Sequence, residues 1–521
     1  MKKFILMLLV ASMILGMVGC GQGVSSETEG KTEAQTDAPT DGNSAETDAP
    51  ETEEPKDPVH ISFWAMGHMK EQAGTEAVIA AMNEYSKEKI NVTFDYTIAD
   101  TDVLKLELAT TDNIDLMWMY PATELESLAK QNALYELTDI LPNYETLYNS
   151  VTDVQWQSCE LDGKSYFIPV MKEAFTGLSL VTPAAMAQQV KAKTGIDWET
   201  IEVKSVRDLD NLTPYLAAVS DICADMETCK LPTFVQYMQV DPVYTVVSSG
   251  VGFDSSTGKF VDLYATKEYA DYLDVVHGWY ESGYILEGRV TGSSTISSET
   301  KPYLNGGYDQ SGQYGIHVWV TTPDNINNVT TRYKMDILPK EIGNRNVLST
   351  SVMTSSWVIS AKADEETVDA CMRFVELLAT DTTFADMYAW GIEGVNFNYN
   401  ENGQVSKIAD TGYSNNLWTC TSVFAATPLD TEDPNKHEIY RQDNELAVAT
   451  PVTGFRFDSA NTDAEVSALS NVAKEYTNLL EYGFYDPAEY LQKFLDARKA
   501  AGVDKVIAEM QAQYDAWAAN N

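Results

Sequence analysis

His60-Ile61-Ser62-Phe63-Trp64-Ala65-Met66, Asn91-Val92-Thr93-Phe94-Asp95-Tyr96 and Ile114-Asp115-Leu116-Met117-Trp118-Met119 are three short apolar runs between residues 60 and 119. The first two read as strands, and the third reads as a short buried strand that stops at Tyr120-Pro121. In the first interval Val78, Ile79, Met82 and Tyr85 share one helical face, and a second helical pattern covers about residues 101–110. Parallel neighbours need a crossover connection, usually a helix, so strand, helix, strand, helix, strand predicts a parallel sheet covered on both faces. The chain begins its folded part as an α/β protein.

The same alternation continues outward. Segments 314–320, 334–338 and 356–360 read as strands, and Val368, Met372, Val375 and Leu378 form a helical stripe. Val503, Val506, Ile507, Met510, Tyr514 and Trp517 recur at helical spacing near the C-terminus. No internal repeat marks a solenoid. With 521 residues, two to four domains are expected.

Upstream of the first strand the composition changes. Lys2 and Lys3 precede an apolar run over residues 4–15, and Gly16-Met17-Val18-Gly19-Cys20 follows. A basic start, a short apolar core and small residues before a cleavage point make an export signal over residues 1–19, too short for an ordinary span. Residues 20–57 are almost wholly Gly, Ser, Thr, Glu, Asp, Ala and Pro, which predicts a disordered acidic tether. The formal net charge is −43, from 78 acids and 35 bases. The first 20 residues carry +2 and residues 21–57 carry −9, so −36 belongs to the body. A body this negative repels nucleic-acid phosphates and anionic lipid, which excludes nucleic acid as a partner.

The chemistry of the common enzyme classes is missing. There is no G-x-S-x-G, H-E-x-x-H or Walker-type sequence, and the five histidines are scattered. Cys159, Cys223, Cys229, Cys371 and Cys420 contain no C-x-x-C pair, although Cys223 and Cys229 could be bridged in an exported chain. The acids at 430–433 and 458–463 lack the full calcium-loop spacing, so neither a metal nor a cofactor is expected. Carboxylates are so numerous that some pair will reach glycosidase spacing by chance, which weakens a hydrolase reading. Sugar rings instead need flat aromatic platforms for their C–H faces and planar polar groups for their hydroxyls. The chain supplies 10 Trp, 28 Tyr and 16 Phe.

The order of phrases resembles a known family. Val18-Gly19-Cys20 is similar to the bacterial lipobox, in which the cysteine carries the acyl chains, palmitate among them, with Met17 where Leu is usual. Phe63-Trp64, the helical stretch to Tyr85 and Asp115-Leu116-Met117 resemble the opening of the carbohydrate-binding lipoproteins that feed ABC importers. Asp162-Gly163-Lys164-Ser165-Tyr166-Phe167-Ile168-Pro169 with Glu173-Ala174 resembles their first crossing between lobes, and Met335-Asp336-Ile337-Leu338-Pro339 the second. Ser356-Trp357-Val358-Ile359 and Tyr388-Ala389-Trp390-Gly391-Ile392-Glu393 are similar to a late N-lobe segment. Pro451-Val452-Thr453-Gly454-Phe455-Arg456 resembles the C-terminal extension of the larger members.

The resemblance implies a two-lobed periplasmic-binding-protein-like fold, with residues 58–170 and 336–395 as N-lobe and 171–335 and 396–521 as C-lobe plus helical extension. It implies a monomer held by lipid on Cys20 at the extracellular face of a bacterial membrane, delivering an oligosaccharide to an ABC permease after hinge closure. Ligands in open sheets sit beyond the carboxyl ends of strands and between lobes. Trp64 and Tyr120, at such ends, are candidate platforms, with a strand-end core position the alternative for Trp64. Glu173 stands where the family's first crossing places a sugar-accepting acid, or else forms a hinge salt bridge with Lys172 or Lys164. Trp357 faces the cleft or packs under the sheet, and Trp390, Glu393 and Trp418 are candidate wall residues. Arg456 is either a cleft donor or a structural ion pair. The rival readings are the same fold with a peptide or another small solute, and a surface glycosidase or adhesin.

Overall fold

The computed structural model describes residues 57–66, 72–120, 122–222, 241, 243–285, 316–321, 336–347, 352–415, 417 and 422–519. These belong to one compact unit, residues 57–521. The export signal, Cys20, most of the acidic tether, the Cys223 and Cys229 pair, Cys420 and Trp418 lie outside the described residues. The strands of the two main sheets are, in chain order, β1 (Val59–Met66), β2 (Val92–Ala99), β3 (Leu116–Met119), β4 (Ile168–Pro169), β5 (Thr176–Pro183), β6 (His317–Thr321), β7 (Ile337–Val347), β8 (Ser356–Ile359) and β9 (Val448–Ala449).

The first sheet has the order β2-β1-β3-β8-β4. β1 is parallel to β2 and β3, as the alternation at residues 60–119 requires, and β8 is antiparallel to β3 and β4. Ile61, Phe63 and Ala65 alternate into the core, fully buried. Asn83, on the helix Thr75–Ile90, donates to the Phe94 carbonyl at 2.9 Å and accepts the Phe94 N–H at 2.7 Å, which pins that helix to the edge strand β2. The helix ends where Asn91 adopts a left-handed φ of 52° and its N–H returns to the last carbonyls. The helix Glu365–Thr380 lays its predicted stripe, Val368, Met372, Val375 and Leu378, into the same core.

The second sheet has the order β6-β5-β7-β9. β5 is antiparallel to β6 and β7, and β7 is parallel to β9. This corrects the expected second crossing. Ile337 pairs with Pro183 and Ile342 with Leu178, so β7 belongs wholly to the second sheet and the chain returns to the first between Val347 and Ser356. Ile337, Ile342 and Val347, the buried positions of β7, fall five residues apart and give no alternation that assigns the strand to a sheet, so only its pairing decides. Residues beyond 395 also stay with the first lobe for longer than expected: Phe397, Val405 and Ala425 pack on Ala385, Ala389 and Trp390 of the helix Thr382–Trp390.

The C-terminal extension is helical, as its periodicity predicts: Asp463–Glu481, Pro487–Ala500 and Val503–Ala518. Val503, Val506 and Met510 are buried against Phe253 and Phe260 of the antiparallel three-stranded sheet at residues 244–262, and Tyr514 has its ring 4.9 Å from that of Phe253. Leu480 and Phe494 enter the core of the second lobe beside Tyr269 and Leu273. Arg498 is fully buried, with Nε 2.9 Å from the Asp262 carboxylate and its guanidinium 4.5 Å from the Tyr264 ring centre. A paired, ring-covered guanidinium is the form in which a buried charge is tolerated. The extension is thus fused to the second lobe.

Candidate functional site

β1 and β3 run in parallel and end side by side, so their carboxyl ends form a shelf on the first sheet. There the Tyr120 N–H donates to Met66 Sδ at 3.2 Å, and the half-buried Tyr120 ring stacks on Trp118 at 6.0 Å and 26°. Trp118 is fully buried and donates from Nε1 to Ser355 Oγ at 2.8 Å. Ser355 immediately precedes β8, and its carbonyl accepts the Val170 N–H at 2.9 Å. Trp118 is therefore hydrogen-bonded to the segment that returns to the first sheet, and Ser355 links that segment to the first crossing.

The first crossing, residues 170–175, is held by side chains from far along the chain. Asn444 accepts the Ala174 N–H at 2.8 Å and donates to the Lys172 carbonyl at 3.1 Å. The guanidinium of Arg345 lies 4.9 Å from the centre of the Phe175 ring, and it pairs with Glu341 at 2.8 Å and with Asp443 at 2.7 Å. These two carboxylates keep the guanidinium charged at any accessible pH. Glu173 sits in this crossing, with Oε1 3.4 Å from Lys172 Nζ, while Lys164 is taken by Glu136 at 2.6 Å. Of the two hinge partners expected for Glu173, the structure uses Lys172.

Beside this crossing lies a cavity of about 440 Å³. Met171 and Asn444 border it from the crossing, Asn149, Thr152 and Gln155 from the first lobe, and Phe424 and Arg441 from the later segment. Arg441 stacks on Phe424 at 5.4 Å. Hydroxyls and amides line it beside one aromatic ring, Arg441 and Glu445, a lining that sets hydrogen-bonding groups in a mostly apolar surface. Among the described residues no group of His, Cys, Asp and Glu could hold a metal.

Several residues expected at the site are elsewhere. Trp357 is 3% exposed and packs under the sheet, with its ring 5.1 Å from Phe63, so it is a core residue. Trp390 is 4% exposed, donates to the Thr427 carbonyl at 3.1 Å and is covered by Lys407 at 4.5 Å. Glu393 stands exposed on the turn before Phe397. Arg456 is a buried ion pair with Glu126 at 2.8 Å rather than a cleft donor. Trp64 is half-buried, with Nε1 donating to Ser62 Oγ at 3.1 Å. Sequence reading missed Ser355, Arg345, Phe424 and Asn444. Each joins the crossing from a distant segment, and no local pattern marks it.

Comparison with known proteins agrees with this architecture. Residues 451–519 match the model of a domain of unknown function, DUF3502. A carbohydrate ABC transporter substrate-binding protein of Streptococcus pneumoniae serotype 4 (strain ATCC BAA-334 / TIGR4) is 23% identical over 403 residues, which is 75% of this chain and 77% of that protein. The crystal structure of the N-glycan transport solute binding protein NgtS from Streptococcus pneumoniae superposes with a TM-score of 0.73 at 20% identity, covering 88% of this chain and 98% of that one. The same protein in complex with Man1GlcNAc gives a TM-score of 0.64 at 20% identity over the same shares. Over most of its length the chain is thus similar in sequence to a carbohydrate ABC transporter substrate-binding protein and shares the fold of solved solute-binding proteins.

Proposed function

We propose that this chain captures a neutral oligosaccharide between its two lobes and presents it to an ABC permease. The observation that carries this is the Trp118–Tyr120 stack at the carboxyl ends of β1 and β3, with Trp118 hydrogen-bonded to Ser355; a separate cavity by the first crossing offers amides and hydroxyls. Tyr120 offers the half-exposed ring for a sugar face, and Trp64 and Glu173 supply a further platform and a hydroxyl acceptor. A glycan touching both lobes binds the closed arrangement more tightly than the open one, and closure is what a permease can read. No covalent step is needed. The carbohydrate assignment of the pneumococcal relative and the glycan bound by NgtS support the ligand class.

Cys20, behind its export signal, carries the lipid that holds a monomer on the outer face of the membrane. Replacing Cys20 by Ala should release the chain into the medium.

The test of ligand class is a thermal-shift screen of mono- and oligosaccharides, Man1GlcNAc included, on wild type and Tyr120→Ala. A glycan that raises the Tm of wild type should lose at least about tenfold in affinity in the variant, equivalent to about 1.4 kcal/mol. A folded protein that no member of a broad glycan panel stabilises would overturn the carbohydrate reading.

A further inference from the structure

A second cavity, of about 550 Å³, lies apart from the crossing. Its walls come from two parts of the one compact unit. Gln157, Glu160 and Asp162 belong to the first lobe, and Phe455 and Trp517 to the C-terminal domain, whose helices share the core of the second lobe. We propose that this groove is a second binding site for a neutral oligosaccharide, one whose occupancy depends on how the two lobes are set.

The lining carries the argument. Trp517 is half-buried, held by Phe455 and Tyr514 at 5.8 and 5.7 Å, so its indole is fixed while part of its surface meets the groove. Gly454 has a φ of 87°, and a Cβ there would lie 3.4 Å from Gln157 and 3.5 Å from the Trp517 ring. Glycine therefore lets the backbone pass between the two walls in a conformation other residues rarely adopt, without a side chain filling the space beside the indole. The Gln157 amide and the carboxylates of Glu160, Asp162 and Asp458 supply planar hydrogen-bonding groups. The cation of the lining, Arg456, has its charge directed to Glu126, and its buried Nε has no hydrogen-bond partner among the described residues. The rim is therefore net negative, which disfavours anionic glycans and suits acceptors for sugar hydroxyls. An aromatic face beside amides and carboxylates is the donor set a sugar requires, and a core of buried apolar residues would not present it.

Because the walls come from the first lobe and the C-terminal extension, joined by the Arg456–Glu126 pair, a ligand here favours the lobe arrangements that keep them together. By linkage, it must shift the affinity of the crossing site in the same proportion as the crossing ligand shifts its own.

The test uses the full chain and saturation-transfer NMR with a panel of mannose-, glucose-, galactose- and N-acetylglucosamine-containing oligosaccharides. On the background of Tyr120→Ala, which removes the crossing platform, at least one neutral glycan should still receive saturation. Trp517→Ala and the exposed, fold-neutral Gln157→Ala should each weaken that contact about tenfold. Loss in the Gln157 variant keeps the result independent of any unfolding in the Trp517 variant. No residual contact in Tyr120→Ala, or contact that neither groove variant changes, would overturn this site while leaving the reading of the crossing untouched.

Discussion

Asn444 holds Ala174: its Oδ1 accepts the Ala174 N–H at 2.8 Å, and its Nδ2 reaches back to the carbonyl of Lys172 at 3.1 Å. One side chain from the helix Lys436–Glu445 thereby fixes the backbone on both sides of Glu173. Asn444→Ala strands a backbone donor and a backbone acceptor in a half-buried place, at a cost of about 1–3 kcal/mol. Urea titration should show a lowered midpoint with an unchanged slope. Asn444→Asp keeps the acceptor but sets an anion against the Lys172 carbonyl, and it should fare no better than alanine.

Trp118 touches no solvent, yet it should govern binding. Trp118→Phe removes the Nε1 donor to Ser355 and part of the surface on which Tyr120 stacks. We expect a stability loss of about 2 kcal/mol from the lost bond and the partial void. Glycan affinity should fall as well, because the Tyr120 ring loses its support. A variant that is destabilised but binds glycan with wild-type affinity would show that Tyr120 is not the platform.

The opening of the fold was legible because β1 and the start of β2 alternate, β3 is a continuous apolar run, and the helix after β1 keeps one apolar face. The C-terminal helix was legible for the same reason, since Val506 and Met510 fall on one stripe and are buried. The second crossing was misplaced because β7 has no clear alternation to assign it to a sheet, and pairing with β5 is a long-range fact. Burial misled in another way. Trp357 and Trp390 sit at strand and helix ends where an outward or an inward ring fits the sequence, and Phe63 and Lys407 respectively complete an inward environment. Tyr120 keeps an outward component because Pro121 follows and Trp118 fills the space beneath it.

Glu481 gives the extension a pH dependence. Glu481 is half-buried with its carboxylate beside Tyr264, Tyr269 and Tyr272, and burial pushes its pKa up to about 7, against a hydrogen bond from Tyr269 that lowers it. The native state therefore holds a proton that the unfolded chain releases near the ordinary carboxylate value. The resulting stability is full below about pH 4.5 and is lost as pH rises through about 7. Wild type should lose at most about 3 kcal/mol from this group across that window, by the relation of about 1.4 kcal/mol per pKa unit less what water screens at a half-buried residue. Glu481→Gln should flatten that portion of the Tm–pH curve.

The Arg456–Glu126 pair links the extension to the first lobe, and its worth can be separated from that of its parts. The guanidinium side chain is 9% exposed, with Nη1 2.8 Å from Glu126 and Nη2 donating to the Ser158 carbonyl. Burial works against its charge and Glu126 restores it. Arg456→Met leaves Glu126 without its cation, and since Glu126 keeps a fifth of its side chain in water the cost should sit near the low end for a broken buried pair, about 3 kcal/mol. Glu126→Gln leaves the arginine charge still bonded to Ser158 and should cost less. Adding Glu126→Gln to Arg456→Met should then recover part of the loss, because the second change removes the stranded charge. A double variant as unstable as the sum of the two single ones would mean that the pair holds the extension by packing alone.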